Sequence, residues 1–304
     1  MNRRTNKKIG IVIVHFGDPK HVERLLTSIS KSVNLECSVY IVDNSSNGLI
    51  KKYIIHSKLR RRISYIDPKD NLGWARGANL GAKIAIKKGC GKLCFLTSDT
   101  VVRSRMFFSE LAKPLDNEHV GITLPVVVYY NQPETIWMSG GRFYTLLMLA
   151  KLLNNNKPVS LAKHNIKPDF GGICMMRSGV FKKLKGWNES YFLYYEDVDL
   201  GFKIKKIKKR IVLVSDSIIA HKVSTPSSNR ETLRLSPKSA YFYGRGSLIF
   251  IKGNLRGVVR IIAFCSQIFI QVPMFILAMT RQSNLKALIA YFKGSLVGLS
   301  ILLK

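Results

Sequence analysis

Over the first ~120 residues, short apolar runs rich in β-branched side chains alternate with stretches of helical period, and this alternation restricts the possible folds more than any other feature. The runs are 9–16 (IGIVIVHF), 38–44 (SVYIVDN), 62–66 and 92–98 (KLCFLTS), and the helical stretches between them are 19–31, 49–60 and 74–88. A strand buried on both faces has to be apolar along its length, and its parallel neighbour is reached only through a crossover, so the pattern predicts a parallel sheet wrapped by helices. Ligands of such sheets sit beyond the carboxyl ends of the strands. The loops expected there read His15-Phe16-Gly17-Asp18, Asp43-Asn44-Ser45-Ser46 and Ser98-Asp99-Thr100.

From 120 to 168 the pattern loosens, with Gly140-Gly141, three successive asparagines at 154–156 and several prolines, which predicts hairpins and a mobile loop. A second ordered block runs from 169 to 221. It comprises a strand with Gly171-Gly172, a short helix near 178–185, a helix opened by Glu196-Asp197 and a strand at 211–214. Beyond Ser236 the composition shifts, and 261–280 is twenty residues without a charge. The 304 residues therefore accommodate one catalytic-size domain, 1–235, and a C-terminal helical membrane-associating region, 236–304.

The chain carries 49 Lys+Arg against 18 Asp+Glu, a formal charge of +31, which calls for an anionic partner: nucleic acid, an acidic membrane face or phosphorylated substrates. Cys37, Cys90, Cys94, Cys174 and Cys265 form an odd set without a C-x-x-C pair, which argues against a disulfide framework or zinc site and for a reducing cytosol. The basic start, 1–8, precedes an apolar run too short and without a small-residue cleavage site, so a first strand is expected there rather than a signal peptide.

Three segments carry chemistry. Asn71-Leu-Gly-Trp-Ala-Arg-Gly-Ala-Asn-Leu-Gly81 sets three glycines and two asparagines at a helix start after a strand, where free N–H groups favour phosphate; small residues for helix packing explain it equally well. Asp99, ending an apolar strand, suits either a divalent ion bridging phosphates or a helix N-cap. The aromatic run 191–195 leads into Glu196, Asp197 and Asp199 at the head of a helix with a basic far end, an order the helix dipole favours. The aromatics beside the acids suit a sugar-binding wall next to a general base.

Together, IVIVHFGD, VDNSS, NLGWARGANLG, FLTSDT, GGICMMRSGVFKKLKGWNESYFLYYEDVDLGFKIK and the later His221 resemble the inverting glycosyltransferases of family 2, of α/β GT-A (Rossmann-like) fold, and within them the rhamnosyltransferase-like branch. The resemblance spans roughly 9–228. It implies that His15 and Phe16 face the nucleotide, Asp43 the base, and that Asn71, Gly73 and Asn79 line the nucleotide-sugar pocket. It further implies Asp99 and His221 as ligands of Mg²⁺ or Mn²⁺, and Asp197 as catalytic base with Glu196 beside it. Thr97 and Ser98 precede Asp99, where the family often carries a further acid or an Asn-Pro.

The implied reaction is a single displacement: an acceptor hydroxyl, deprotonated by Asp197, attacks the anomeric carbon as the nucleoside diphosphate leaves from the opposite face. The branch's common donor is a deoxythymidine-linked rhamnose, though a uridine-linked hexose leaves similar motifs, and the acceptor is a glycan or lipid-linked glycan of cell-surface polysaccharide. A polyprenyl-phosphate sugar synthase and a non-catalytic basic membrane- or nucleic-acid-binding protein are the competing readings. The second lacks any nucleic-acid-binding signature, and the expected partners therefore include no nucleic acid. In the tail, Arg260, Gln267 and Gln271 recur on one face, Pro273 interrupts the run and positive residues flank both ends, so either a span or a helix lying in the interface fits. A buried core helix is the alternative. The expected location is the cytoplasmic face of the cell membrane, where anionic head groups meet the +31 charge.

Overall fold

A computed structural model describes residues 8–32, 36–162, 166–222 and 235–303. The basic segment 1–7 and the part of the resemblance beyond Lys222 lie outside the described residues.

The first half follows the predicted alternation. Strand β1 (Ile9–His15) leads to helix α1 (Lys20–Ser32), β2 (Cys37–Asp43), α2 (Lys51–His56), β3 (Ile63–Ile66), α3 (Gly73–Lys87) and β4 (Lys92–Thr97). β2 and β4 flank β1 in parallel and β3 extends the sheet in the same sense. Because side chains alternate across a strand, Ile9, Ile11 and Ile13 pack with Val22, Leu25 and Ile29 of α1 on one face. Val12 and Val14 meet Ala75, Ala78 and Ala82 of α3 on the other.

The sheet continues through β5 (Thr100–Val102), and after α4 (Phe107–Ala112) come β6 (Val120–Tyr129) and β7 (Ile136–Met138). A separate hairpin, β8 (Gly141–Tyr144) and β9 (Leu149–Leu152), precedes β10 (Cys174–Arg177), α5 (Ser178–Lys183), α6 (Glu196–Lys206) and β11 (Arg210–His221). The strand order is β3-β2-β1-β4-β10-β6-β11-β5, with β7 paired to β6. β10 is antiparallel to both β4 and β6, so the sheet is mixed.

Two expectations are corrected. The segment expected to be loose from 120 opens with β6, buried at all ten positions; Pro125 and the following valines masked a strand whose two faces are both covered. β11 runs from Arg210 to His221 where a short strand at 211–214 was expected, because its register with β6 shifts between Val214 and Ile218 and then resumes. An irregularity of this kind interrupts the alternation without ending the strand.

The C-terminal region forms α7 (Pro237–Asn254), α8 (Gly257–Ser266), a π-helical turn over Gln267–Gln271, α9 (Val272–Arg281) and α10 (Leu285–Leu303). Pro273 offers no N–H to the preceding turn, and the π-turn just before it absorbs the defect, so Gly257–Arg281 runs on as one 25-residue helix. α10 lies parallel to α7, with Gly294 against Tyr241 and Gly298 against Arg245. α7 in turn packs through its Phe250 on the rings of Phe143 and Tyr195.

Candidate active site

A cavity of about 330 Å³ opens beyond the carboxyl ends of β1, β2 and β4, lined by Val14, Phe16, Asn44, Asn71, Gly73, Trp74, Thr97, Ser98, Asp99, Phe192, Leu193, Lys238 and Ser239. Its floor is a glycine turn. Asn71 Oδ1 accepts from Gly73 N at 3.0 Å, and Gly73 takes φ +73° so that Trp74 N can donate to Phe192 O at 2.9 Å. A Cβ at Gly73 would stand 2.5 Å from that same carbonyl oxygen. The remaining two glycines of the motif serve packing: a Cβ would come within 3.1 Å of Val14 at Gly77 and 2.7 Å of Val12 at Gly81.

The expected residues divide into those facing the cavity and those behind it. Phe16, Asn71, Gly73 and Asp99 line it. His15 is fully buried, its Nδ1 3.0 Å from Ser98 Oγ, so it braces the wall rather than forming it. Burial lowers its pKa, with nearby Asp43 opposing, and the ring is neutral at pH 7. Asp43, also fully buried, accepts from Tyr65 Oη at 3.1 Å and from Ser45 N at 3.1 Å. Asn79 lies away from the cavity. Its Nδ2 donates to Trp187 O and Glu189 Oε1, both at 2.9 Å, and its Oδ1 accepts from Trp187 N at 2.9 Å, clamping α3 to the Gly186-Trp187 turn.

At the cavity edge, His221 Nε2 stands 3.1 Å from Asp99 Oδ2, joining residues 122 apart in sequence. Burial alone would raise the Asp99 carboxyl, but the hydrogen bond and charge of His221 outweigh it and hold the pKa at about 2. Among the described residues, Asn44 Oδ1, Thr97 Oγ1 and Asp99 Oδ1 are buried without a hydrogen-bond partner. Three such atoms lining one cavity mark a place where a polar ligand completes the bonding, since unsatisfied buried groups are otherwise costly. One carboxylate oxygen and one imidazole, with room for phosphate oxygens and water, form a donor set that suits Mg²⁺ or Mn²⁺.

Glu196 and Asp197 are not in the cavity lining; Tyr194 and Tyr195 separate them from the wall residues Phe192 and Leu193. Tyr194 and Tyr195 take φ of 65° and 69°, two successive left-handed residues without a glycine, and this strained turn opens α6. Glu196 and Asp197 are partly exposed, yet surrounded closely enough that burial raises both carboxyl pKa values, Glu196 further because Asp197 lies beside it. The pair therefore shares protons near neutral pH. Asp197 Oδ1 accepts from Val198 N at 2.8 Å, and Glu196 Oε2 is buried without a partner among the described residues. Asp199 points the other way and accepts from Asn254 Nδ2 of α7 at 2.8 Å.

Asn44, in a loop expected at the ligand edge, does line the cavity, whereas Lys238 and Ser239 escaped the sequence reading. Ser236 Oγ caps α7 by accepting from Ser239 N at 3.1 Å, which leaves the helix N-terminus at the cavity. Lys238 lies 5.2 Å above both the Phe16 and the Phe192 rings. A signal did exist: a lysine in the first turn opposes the helix dipole, and an anion bound there reverses that penalty.

A family profile described as Glycosyl transferase family 2 matches residues 10–185. Among curated proteins, the chain is 24% identical over 206 residues to a low-salt glycan biosynthesis hexosyltransferase of Haloferax volcanii, covering 65% of this chain and 62% of that protein. It is 21% identical over 253 residues to the dTDP-rhamnosyl transferase RfbF of Shigella flexneri, covering 82% and 81%. Among solved structures, GalNAc-T7 with UDP, GalNAc and Mn²⁺ superposes with a TM-score of 0.61 at 16% identity, over 81% of this chain and 50% of that one. The TarS 1–349 complex with UDP from S. aureus gives 0.52 at 19%, over 82% and 67%. At such identities the structures establish a shared GT-A fold.

Proposed function

The chain belongs to glycosyl transferase family 2, and from that membership we propose that it moves a sugar from a nucleotide-sugar donor to an acceptor hydroxyl with inversion at the anomeric carbon. The observation that carries this reading is the cavity edge, where Asp99 and His221 meet and three buried polar atoms await a ligand. The nucleotide sugar lies across the Asn71–Gly73 turn, with its diphosphate between Asp99 and the N-terminus of α7. Lys238, through its ammonium and its own backbone N–H, offsets the charge that grows on the leaving diphosphate; the Ser239 and Ala240 N–H groups are already bonded to Ser236. Asp99 and His221 would hold Mg²⁺ or Mn²⁺, which when bound supplies Lewis-acid charge to the same diphosphate. Asp197 takes the acceptor proton. Its raised pKa makes it a stronger base than an exposed aspartate while Glu196 retains the shared proton.

The donor is a dTDP-rhamnose or a UDP-hexose, in line with what the named relatives use or are bound to, and the acceptor is a glycan or lipid-linked glycan. We place the catalytic unit at 8–255, since α7 lines the cavity through Lys238 and Ser239, in place of a division at 235. The tail beyond it lies in or on the cytoplasmic face of the membrane. Its polar residues turn inward: Arg260 donates to Leu302 O at 3.3 Å, Gln267 to Tyr291 Oη at 2.8 Å and Gln271 to Leu147 O at 2.7 Å. Val258, Ile261 and Phe269 point out, 70%, 63% and 74% exposed. A helix with its apolar face outward suits lipid rather than water.

The test is binding of dTDP and UDP by calorimetry, with Mn²⁺ and with EDTA. Asp99→Ala should weaken the metal-containing affinity by tenfold or more, about 1.4 kcal/mol, and leave the EDTA value nearly unchanged. Equal loss in both conditions would make Asp99 a structural cap.

A further inference from the structure

The β8–β9 hairpin stands outside the main sheet and ends in an apolar tip. A 3-10 turn over Thr145–Leu147 leads to Met148 at φ 50°, which buries its own side chain completely. Tyr144, Leu146 and Leu147 remain 45%, 47% and 44% exposed. Turns in water favour Gly, Asn, Asp and Ser, so two exposed leucines at a turn imply an apolar surrounding. Beneath the tip, Arg142 of β8 and Lys151 of β9 face each other across the ladder, both exposed. Like charges in register repel. Asp169 offsets Arg142, its Oδ2 lying 3.5 Å from Arg142 Nε, whereas Lys151 has no carboxylate partner among the described residues and is the cation open to an anionic surface.

The tip is joined to the tail helix at the π-turn, where Gln271 Nε2 donates to Leu147 O at 2.7 Å. Ile268, Phe269 and Met274 surround that point on the tail, 42%, 74% and 52% exposed. The buried face of the hairpin meets the acid pair's own turn: the Phe143 ring lies edge-on to Tyr195, with centroids 6.4 Å apart, and Tyr195 precedes Glu196. One hairpin thus links an exposed apolar tip to the catalytic acids.

We propose that the β8–β9 tip is a second membrane contact, carried by the catalytic unit itself. Leu146 and Leu147 enter the boundary between head groups and acyl chains of an anionic bilayer while Lys151 rests on the phosphates. The hairpin thereby holds the acid pair over the lipid surface, which makes a lipid-borne hydroxyl the acceptor class the site is placed to receive. The proposal rests on the membrane reading of the tail, and the experiment separates the two.

The full-length chain is reconstituted with vesicles of 70:30 phosphatidylcholine and phosphatidylglycerol, and an environment-sensitive NBD dye is attached at one position at a time. The exposed native Cys265 reports on the tail; Leu147→Cys in a Cys265→Ser background reports on the hairpin. Blue-shifted emission and quenching by doxyl-labelled lipid at both positions support the proposal. A response at Cys265 without one at position 147 overturns it and leaves the tail reading standing, whereas silence at both removes the membrane reading and the proposal together. A shift at position 147 that grows with protein concentration in the absence of vesicles assigns the tip to a second copy of the chain and also overturns it. As an independent readout, Leu146→Asp/Leu147→Asp should weaken vesicle partition by about tenfold or more, from two lost leucine burials, with calorimetric binding of dTDP or UDP confirming the fold; unchanged partition counts against the proposal.

Discussion

Asp197 and Asn79 stand in equally conspicuous motifs, yet their surroundings assign them to different tasks. Asp197 has a raised pKa, a strained turn before it and no side-chain hydrogen-bond partner among the described residues, so it is free to move a proton. Asp197→Asn should cut turnover by at least ~100-fold while donor affinity stays within a factor of two or three; normal turnover would end its assignment as base. Asn79 has both ends of its amide engaged by the Trp187 turn and by Glu189. Asn79→Ala should therefore lower unfolding free energy by about 2–3 kcal/mol, from several buried hydrogen bonds lost together. Its effect on the affinity of the folded protein for nucleotide should be small, and denaturant unfolding beside calorimetry distinguishes this from a pocket residue, whose loss would do the reverse.

At the scale of elements, α7 joins the two parts of the molecule. Its first turn lines the cavity, its far end holds Asp199 through Asn254, and α10 lies along its flank. The crossing is close because glycine occupies it: a Cβ on Gly294 would overlap the Tyr241 carbonyl oxygen, whereas one on Gly253 meets nothing within 4 Å. Gly294→Val should lower the unfolding midpoint in detergent, by about 1–3 kcal/mol of overpacking, and Gly253→Ala should leave it unchanged or slightly raised. A cut after Gly253 does more than detach a tail. It removes Asn254 from Asp199 and strips α10 from α7, so the shortened chain, left with the β8–β9 tip as its membrane contact, should partition to membranes more weakly and unfold at a lower temperature than the intact one. An unchanged melting temperature would show that α10 contributes nothing to the catalytic unit.

For the molecule as a whole, the acid pair ties stability and activity to pH in opposite senses. Both carboxyl pKa values are raised on folding, so the native state holds more protons than the unfolded chain above the ordinary carboxylate range near 4. Stability contributed by the pair is therefore fullest at low pH and declines as pH rises from about 4 through the raised native values. Turnover should rise over the same interval as Asp197 ionises, and the acid limb of the kcat profile should lie above pH 4. Glu196→Gln mimics the protonated neighbour and should keep that limb in place while flattening the decline in stability. A limb at an ordinary carboxylate position would contradict the raised pKa of Asp197.

The parallel half-sheet was legible because burial on both faces writes continuous apolar runs, and a 3.6-residue period separates them. For the same reason the strand-end residues Asp99 and Phe16 could be placed at the ligand edge before any contact was known. β6 and the full length of β11 were not legible: a proline within one and a register shift within the other break the local pattern, and only pairing across the sheet restores the strand. Local sequence also could not divide the glycine-rich motif, where Gly73 shapes the cavity floor while Gly77 and Gly81 let α3 approach β1. Nor could it bring Lys238 to Phe16, and it was the family resemblance, not local pattern, that set His221 beside Asp99. Periodicity and residue chemistry are written along the chain, so the sequence by itself determined the layers, the family resemblance and the candidate acids. Which of those residues face the cavity, and which merely hold its wall, depends on contacts between positions more than a hundred residues apart, and those exist only once the sheet has closed and α7 has packed against it.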